Sequence, residues 1–268
     1  MRVSRFAALL APLALPAVLC GSASPANAST SAAVLLRYHF TVGQTNSYRL
    51  TANIKEAIVA GSRQQTITIK EVLAYIQRVN KVYPGGSASI VATYKNATIT
   101  ANGHTQPLPL RATSISVHLS PTGQTNASLS GSTASAFGGS GINIAGAGTF
   151  PTAPVAVNDS WTTASAVSLG SLVTGRVKQK STLVSLSTMN GDRVAQIRTA
   201  ILPSHLDVAV NGVSLMGNAT GSAATHFDVD AGVLNSTHAQ VHVPFKGSYQ
   251  GSDVRIILNE TIDLVRTA

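Results

Sequence analysis

The sequence predicts an all-β protein: long, mostly antiparallel strands in two related repeats, forming one large curved sheet or two packed sheets. Three observations predict it. Charged residues make up only 11% of the chain, while Ala, Ser, Thr, Gly and Val are abundant, a balance that suits strands and turns better than surface helices. Several segments alternate apolar and polar residues with period two. Clusters of Gly, Pro, Asn and Asp separate those segments at turn-like spacing.

The first 28 residues form a segment of their own. Arg2 and Arg5 precede an uncharged apolar run from Phe6 to Leu19, and Ala26-Asn27-Ala28 supplies the small-residue pattern of a cleavage site. This predicts a secretory signal peptide over 1–28, an exported chain (periplasmic or extracellular) and a mature start near Ser29. The run is shorter than the ~20 residues of a membrane-spanning helix, so no integral span is expected in the mature chain. Cys20 is the sole cysteine, and the bulky Leu19 before it argues against lipid anchoring there. Cleavage after Ala28 leaves a cysteine-free domain with no thiol chemistry and no disulfide. It also leaves 17 basic residues against 10 acidic ones.

Past the leader, Tyr48, Leu50, Ala52 and Ile54 point one way, and Arg49, Thr51, Asn53 and Lys55 the other. Residues 64–83 carry two signals. Thr68-Ile69-Lys70-Glu71 reads as a capping box ahead of a helical period, yet Ile67, Ile69, Leu73, Tyr75 and Val79 equally share one face of a strand. Further on, Ile115, Val117 and Leu119 alternate with Ser114, Ser116 and His118. Near the end, Val254, Ile256, Leu258, Ile262 and Leu264 share a face. Turns are expected at Pro84-Gly85-Gly86, Pro121-Thr122-Gly123, Asn190-Gly191, Asp230-Ala231-Gly232 and Lys246-Gly247.

Three matched segments suggest a duplicated unit. Val79–Ile90 resembles Leu183–Ile197, each reading as strand, glycine turn and strand. Val42-Gly43-Gln44 before Tyr48 parallels Val157-Asn158-Asp159 before Trp161, and His118–Gly123 parallels His226–Gly232. The second copy is strongly β, which tips 64–83 to a strand. The expected organisation is a first repeat over 29–130, a Gly/Ser/Ala-rich connector or flap over 131–154, and a second repeat over 155–268.

The segment Gly148–Trp161, with Pro151, Pro154 and Val157-Asn158-Asp159-Ser160-Trp161, resembles one shared by a poorly characterised family of exported bacterial two-repeat β proteins. In that family a Pro-rich approach and a V-x-G-D-x-W start open the second repeat; here Asn158 stands where the family has Gly. Phe227-Asp228-Val229-Asp230-Ala231-Gly232 is similar to its hairpin. At fold level the chain also resembles lipid and lipoprotein carriers of the LolA and LppX type, which implies a curved sheet with a ligand on its concave side.

Motifs that would carry catalysis are missing. Gly138-Gly139-Ser140-Gly141-Ile142 lacks the last Gly of a nucleophile elbow, and neither a P-loop nor an H-E-x-x-H pattern occurs. No catalytic, cofactor or metal residues are expected. One polar face invites inspection: with a hairpin turn near Ala231, His226 and His238 come close across the strands beside Asp228. His238 and His242 cannot share a metal on a strand, since four residues separate them by ~13 Å. Against the wet-face reading of those residues stands a metal or hydrolytic one. Arg176, Lys178 and Lys180 share one strand face and are candidates for contact with an anionic membrane or wall surface. Nucleic acid is excluded by the dispersed charge and the 5% aromatic content. Phe137, Ile142, Ile144 and Phe150 are candidate ligand contacts on the flap. The expectation is therefore a non-enzymatic exported protein that binds a lipid-like or amphipathic ligand in a concave sheet face. The alternative is a structural or adhesion module using its basic surface.

Overall fold

The computed structural model describes residues 33–107, 114–124, 149–169, 173–189, 191–210, 213–249 and 252–267. The leader and Phe137, Ile142 and Ile144 lie outside them. Every regular element among the described residues is a strand: β1 (Thr45–Ala60), β2 (Arg63–Val82), β3 (Ala88–Ala101), β4 (His104–Pro107), β5 (Ser114–Leu119), β6 (Ser160–Leu169), β7 (Val173–Met189), β8 (Asp192–Val210), β9 (Val213–Asp228), β10 (Val233–Tyr249) and β11 (Ser252–Arg266). They form one antiparallel sheet in the order β4-β3-β2-β1-β11-β10-β9-β8-β7-β6, with β5 following β4 along the same edge of β3. Of the two architectures the sequence allows, this is the single large sheet. First and last strands meet in its middle, where Tyr48–Ala60 pairs with Val254–Arg266.

Of residues 64–83, all but Tyr83 lie in strand β2, not in a helix. Ile67, Glu71, Leu73, Tyr75 and Val79 are buried on one face. The ladders to β1 and β3 satisfy the backbone on both sides, and that outweighs the local capping signal. Lys246-Gly247, expected as a turn, lies inside β10 instead. A Cβ on Gly247 would strike the Ser214 carbonyl oxygen, so this glycine serves the close approach of β9 rather than a reversal.

The sheet curls. Its ten lanes, laid flat at about 4.8 Å per step, would hold the outer edges about 43 Å apart. Yet those edges meet through loops at one end. Phe150 N–H donates to the Thr122 carbonyl at 2.7 Å, just past β5. Next to Phe150, the Thr149 carbonyl accepts from the Trp161 indole on β6 at 2.8 Å. Among the described residues no ladder joins β5 to β6, so the sheet is open along that seam.

Residues 33–44 form a strap across the same end. Val34 bridges Val155, Tyr38 N–H donates to the Pro121 carbonyl at 2.8 Å, and His39 N–H to the Gly232 carbonyl at 3.1 Å. Arg37 clamps the Pro151 and Thr152 carbonyls, each at 2.7 Å. Beneath the strap, Leu36, Tyr38, Phe150 and Phe227 pack into a buried cluster with Tyr48, Tyr75, Ile90, Leu183 and Leu234. The Phe227 ring stands edge-on to Phe150 at 4.6 Å and to Tyr38 at 5.2 Å. A depression between strap and sheet, lined by Tyr38, Gln44, Tyr48, Gln77 and Leu234, offers ≈ 20 Å³, room for about one water.

Two local arches match bond for bond. Gly43 N–H donates to the Val79 carbonyl and Val79 N–H to Gln44; Asn158 N–H donates to the Leu183 carbonyl and Leu183 N–H to Asp159. Gln44 and Asp159 each cap their own turn, accepting from Thr41 and Ala156. Val79 opposes Ile90, Leu183 opposes Ile197, and a register shift follows both pairs. Gly43 has φ +84° and Asn158 φ +76°, which explains in physical terms why a glycine suits this position and an asparagine can replace it.

Candidate functional site

Strand alternation gives the curled sheet an inner and an outer face. On the inner face, two buried apolar clusters lie at different heights. One is the strap-end core. The other, toward the far end, gathers Leu206, Leu215, Val243, Phe245, Val254 and Ile256. Gly217 lies under the Phe245 ring, whose Cδ1 would be 2.5 Å from an added Cβ. Gly221 faces the Gln240 backbone in the same way. The room expected along 218–224 from small side chains is thus partly taken by β10.

Between the clusters the inner face changes character. One cross-strand row runs Ser181, Thr199, Ala223, Ala239, Ile262, Ala52 and Glu71. The next row away from the strap includes Gly221, Val241 and Glu260, and the row toward it includes Thr225 and Thr237. Gly221, Ala223, Thr237, Ala239 and Val241 are half-buried, whereas the clusters on either side are buried. The result is a shallow trough with a floor of small residues. On its β7–β8 side the Ser181 and Thr199 hydroxyls are hydrogen-bonded at 2.9 Å; within it Thr225 and Thr237 are bonded at 3.1 Å.

On the β2–β1–β11 side lie carboxyl groups. Glu71 and Glu260 are 5% and 8% exposed, and Glu56 is half-buried one step further along β1. These are all three glutamates of the chain, placed on one face of three adjacent strands. Burying a carboxyl is costly, and each of the three keeps a polar or electrostatic interaction within the protein. The sequence carried this signal: Glu71 has the parity of Ile69 and Leu73, and Glu260 that of Leu258 and Ile262. Attention to the apolar members of each series passed over the acids between them.

The residues singled out from sequence are not brought together. Phe150 belongs to the strap-end core at 5% exposure. His226 and His238 do not face one another. A register shift between Leu234 and Ser236 sets Ser236 opposite His226, with Nδ1 3.2 Å from Oγ. His238 lies opposite Ala224 and pairs with Asp263 at 2.6 Å. Asp228 is buried and accepts from Ala231 N–H at 2.8 Å, closing the β9–β10 turn. Three separate partners replace the expected constellation, and among the described residues no group of three His, Cys, Asp or Glu is arranged to hold a metal. Arg176, Lys178 and Lys180 lie exposed in one row on the outer face of β7, with Arg198 of β8 diagonal to Lys180. Trp161 packs against the strap-end core.

Burial dominates the tyrosines of that core. It holds the Tyr48 hydroxyl up at about 12 despite the lowering influence of Arg266, pushes Tyr75 and Tyr94 higher still, and raises Tyr38 well above the ordinary phenol value. These phenols stay neutral and are packing elements rather than acids or bases.

No family model and no curated protein matches the chain. Among solved structures it is similar to DynF from the dynemicin biosynthesis pathway of Micromonospora chersina. That match has 8% identity and a TM-score of 0.25, over 91% of this chain and 92% of that one. It is also similar to an outer-membrane channel from Pseudomonas putida F1, at 9% identity and a TM-score of 0.22, over 91% and 100%. Neither likeness is close enough to carry an argument. Among the described residues no helix is long and apolar enough to cross a membrane, which says nothing of a β-barrel.

Proposed function

We propose that this is a non-enzymatic exported protein that shelters an amphipathic, lipid-like ligand in the inner trough of its curled sheet. One observation carries the reading: a half-buried floor of Gly221, Ala223, Ala239 and Val241 between two apolar clusters, bordered by hydroxyl and carboxyl side chains. Apolar surface on either side suits hydrocarbon. The polar border suits a head group that donates hydrogen bonds, such as a hydroxylated or amine-bearing one, because carboxyl and hydroxyl oxygens both accept. The β5–β6 seam offers a lateral way in, since among the described residues no ladder must break for it to open. Native mass spectrometry of the gently purified protein tests the proposal. A co-purifying mass that extracts as an amphiphile supports it, and a bare chain that also takes up no added amphiphile removes it.

A second reading rests on the Arg176, Lys178, Lys180 and Arg198 row, which fits a structural or adhesion role against anionic wall polymer. Retention on such polymer that is lost in K178E/K180E, with no amphiphile bound, would favour it instead.

A further inference from the structure

We propose that the outer face of β9, β10, β11 and β1, near the end of the sheet opposite the strap, docks on an anionic lipid bilayer. The proposal builds on the carrier reading, because it places the unstrapped end of the trough beside a source of amphiphile.

One cross-strand row carries the argument: Met216, Lys246, Arg255 and Val59, side by side on four adjacent strands. Lys246 and Arg255 are exposed and directly opposite, a like-charge pairing that costs stability in a sheet. Among the described residues neither takes part in an ion pair. The charges are flanked by two of the large apolar side chains left in the open, Met216 at 59% and Val59 at 36% exposure. Along the strands the next row adds half-buried Pro244 and Ile257.

Two carboxylates lie near. Asp253 is two residues from Arg255 on the same face, and Asp207 opposite Met216 is bonded to His205. With Lys55 on the same face of β1 the patch remains net positive. Cations interleaved with exposed apolar side chains match the headgroup layer of an anionic membrane, where the charges meet phosphate and the apolar groups enter the acyl boundary. The more basic β7 row has no exposed large apolar neighbour: Lys178 and Lys180 are flanked by Ala164, Thr162, Ala200 and a half-buried Leu202.

The test is co-sedimentation of the mature chain with vesicles of phosphatidylcholine, with and without about 30% phosphatidylglycerol. The wild type is expected to prefer the anionic vesicles, and the preference to fall with salt. K246Q/R255Q should weaken that partitioning roughly 30-fold. M216S/V59S should weaken it several-fold with all charges kept. K178Q/K180Q removes the same charge elsewhere and should leave it within about threefold. Equal loss in K246Q/R255Q and K178Q/K180Q would overturn the assignment, as would a wild type indifferent to phosphatidylglycerol. Co-purified amphiphile, read by native mass spectrometry in the same variants, should be unchanged. Vesicle binding without any amphiphile in the trough would strike the carrier reading and leave the docking face standing.

Discussion

Replacing Phe227 by alanine should loosen the strap and cost most of a small domain's stability. Phe227 is fully buried on β9, where its ring meets Phe150 at 4.6 Å and Tyr38 at 5.2 Å in edge-to-face geometry. Truncating a buried Phe to Ala costs about 3–5 kcal/mol. Two aromatic pairs, each contributing about 0.5–1.5 kcal/mol beyond area, place this site at the upper end of that range. Folded domains have only about 5–15 kcal/mol in hand, so Phe227→Leu is the companion variant. It keeps most of the volume, loses only the ring contacts, and should cost about 1–2 kcal/mol. Urea unfolding gives the cost, and amide exchange shows where it falls. Tyr38 and His39, whose N–H groups donate to Pro121 and Gly232, should lose protection before the β1–β11 ladder does. A Phe227→Ala cost below about 1.5 kcal/mol, with those two amides still protected, would refute the claim that the ring cluster holds the strap.

Other consequences follow from single positions. Tyr38→Phe should raise stability by about 1 kcal/mol in the same urea assay, because the buried Tyr38 hydroxyl has no hydrogen-bond partner among the described residues; a loss of similar size would show that it has one. Gly43→Ala should cost about 1–2 kcal/mol for backbone reasons alone, since φ is +84° and nothing lies within 4 Å of the added Cβ. Asn158→Gly at the matching arch should be neutral or slightly stabilising, and a clear cost there would break the equivalence. Alkaline pH should unfold the protein steeply. Unfolded tyrosines titrate near 10 while burial holds Tyr48 up at about 12, Tyr75 beyond it and Tyr38 well above its ordinary value, so this stability is complete below pH 10. Above pH 10 it falls by roughly 1.4 kcal/mol per pH unit for each such group. Melting temperature followed with phenolate absorbance checks this, and phenolate appearing near pH 10 in a still-folded protein would contradict it.

Much of the fold was legible because strand alternation is a local property. Leu50, Ala52 and Ile54 on β1, or Ile256, Leu258 and Ile262 on β11, announce their face without reference to any partner. The failures were all non-local. A single extra residue near Asn235 sets Ser236 rather than Asn235 opposite His226 and leaves His238 opposite Ala224, and no composition signal marks such a shift. Lys246-Gly247 looked like a turn because glycine does two jobs, and only the approach of Ser214 tells which one applies. The curl and the strap depend on a few backbone hydrogen bonds between distant segments, such as Phe150 to Thr122, that any residue type could make. The trough was half legible. Its small floor was visible in Gly221 and Ala223, but the three inward glutamates emerge only when the parity of each strand is followed through its polar members.

The most direct measurement of the account is the stoichiometry of amphiphile bound by the wild type and by Ala239→Trp, read by native mass spectrometry on proteins shown to be equally folded. Ala239 lies half-buried at the centre of the trough floor, between Ala223 and Ile262, where an indole would occupy the space a ligand needs. The account predicts bound amphiphile on the wild type and none on the variant. Equal binding by both, or none by either, would contradict it.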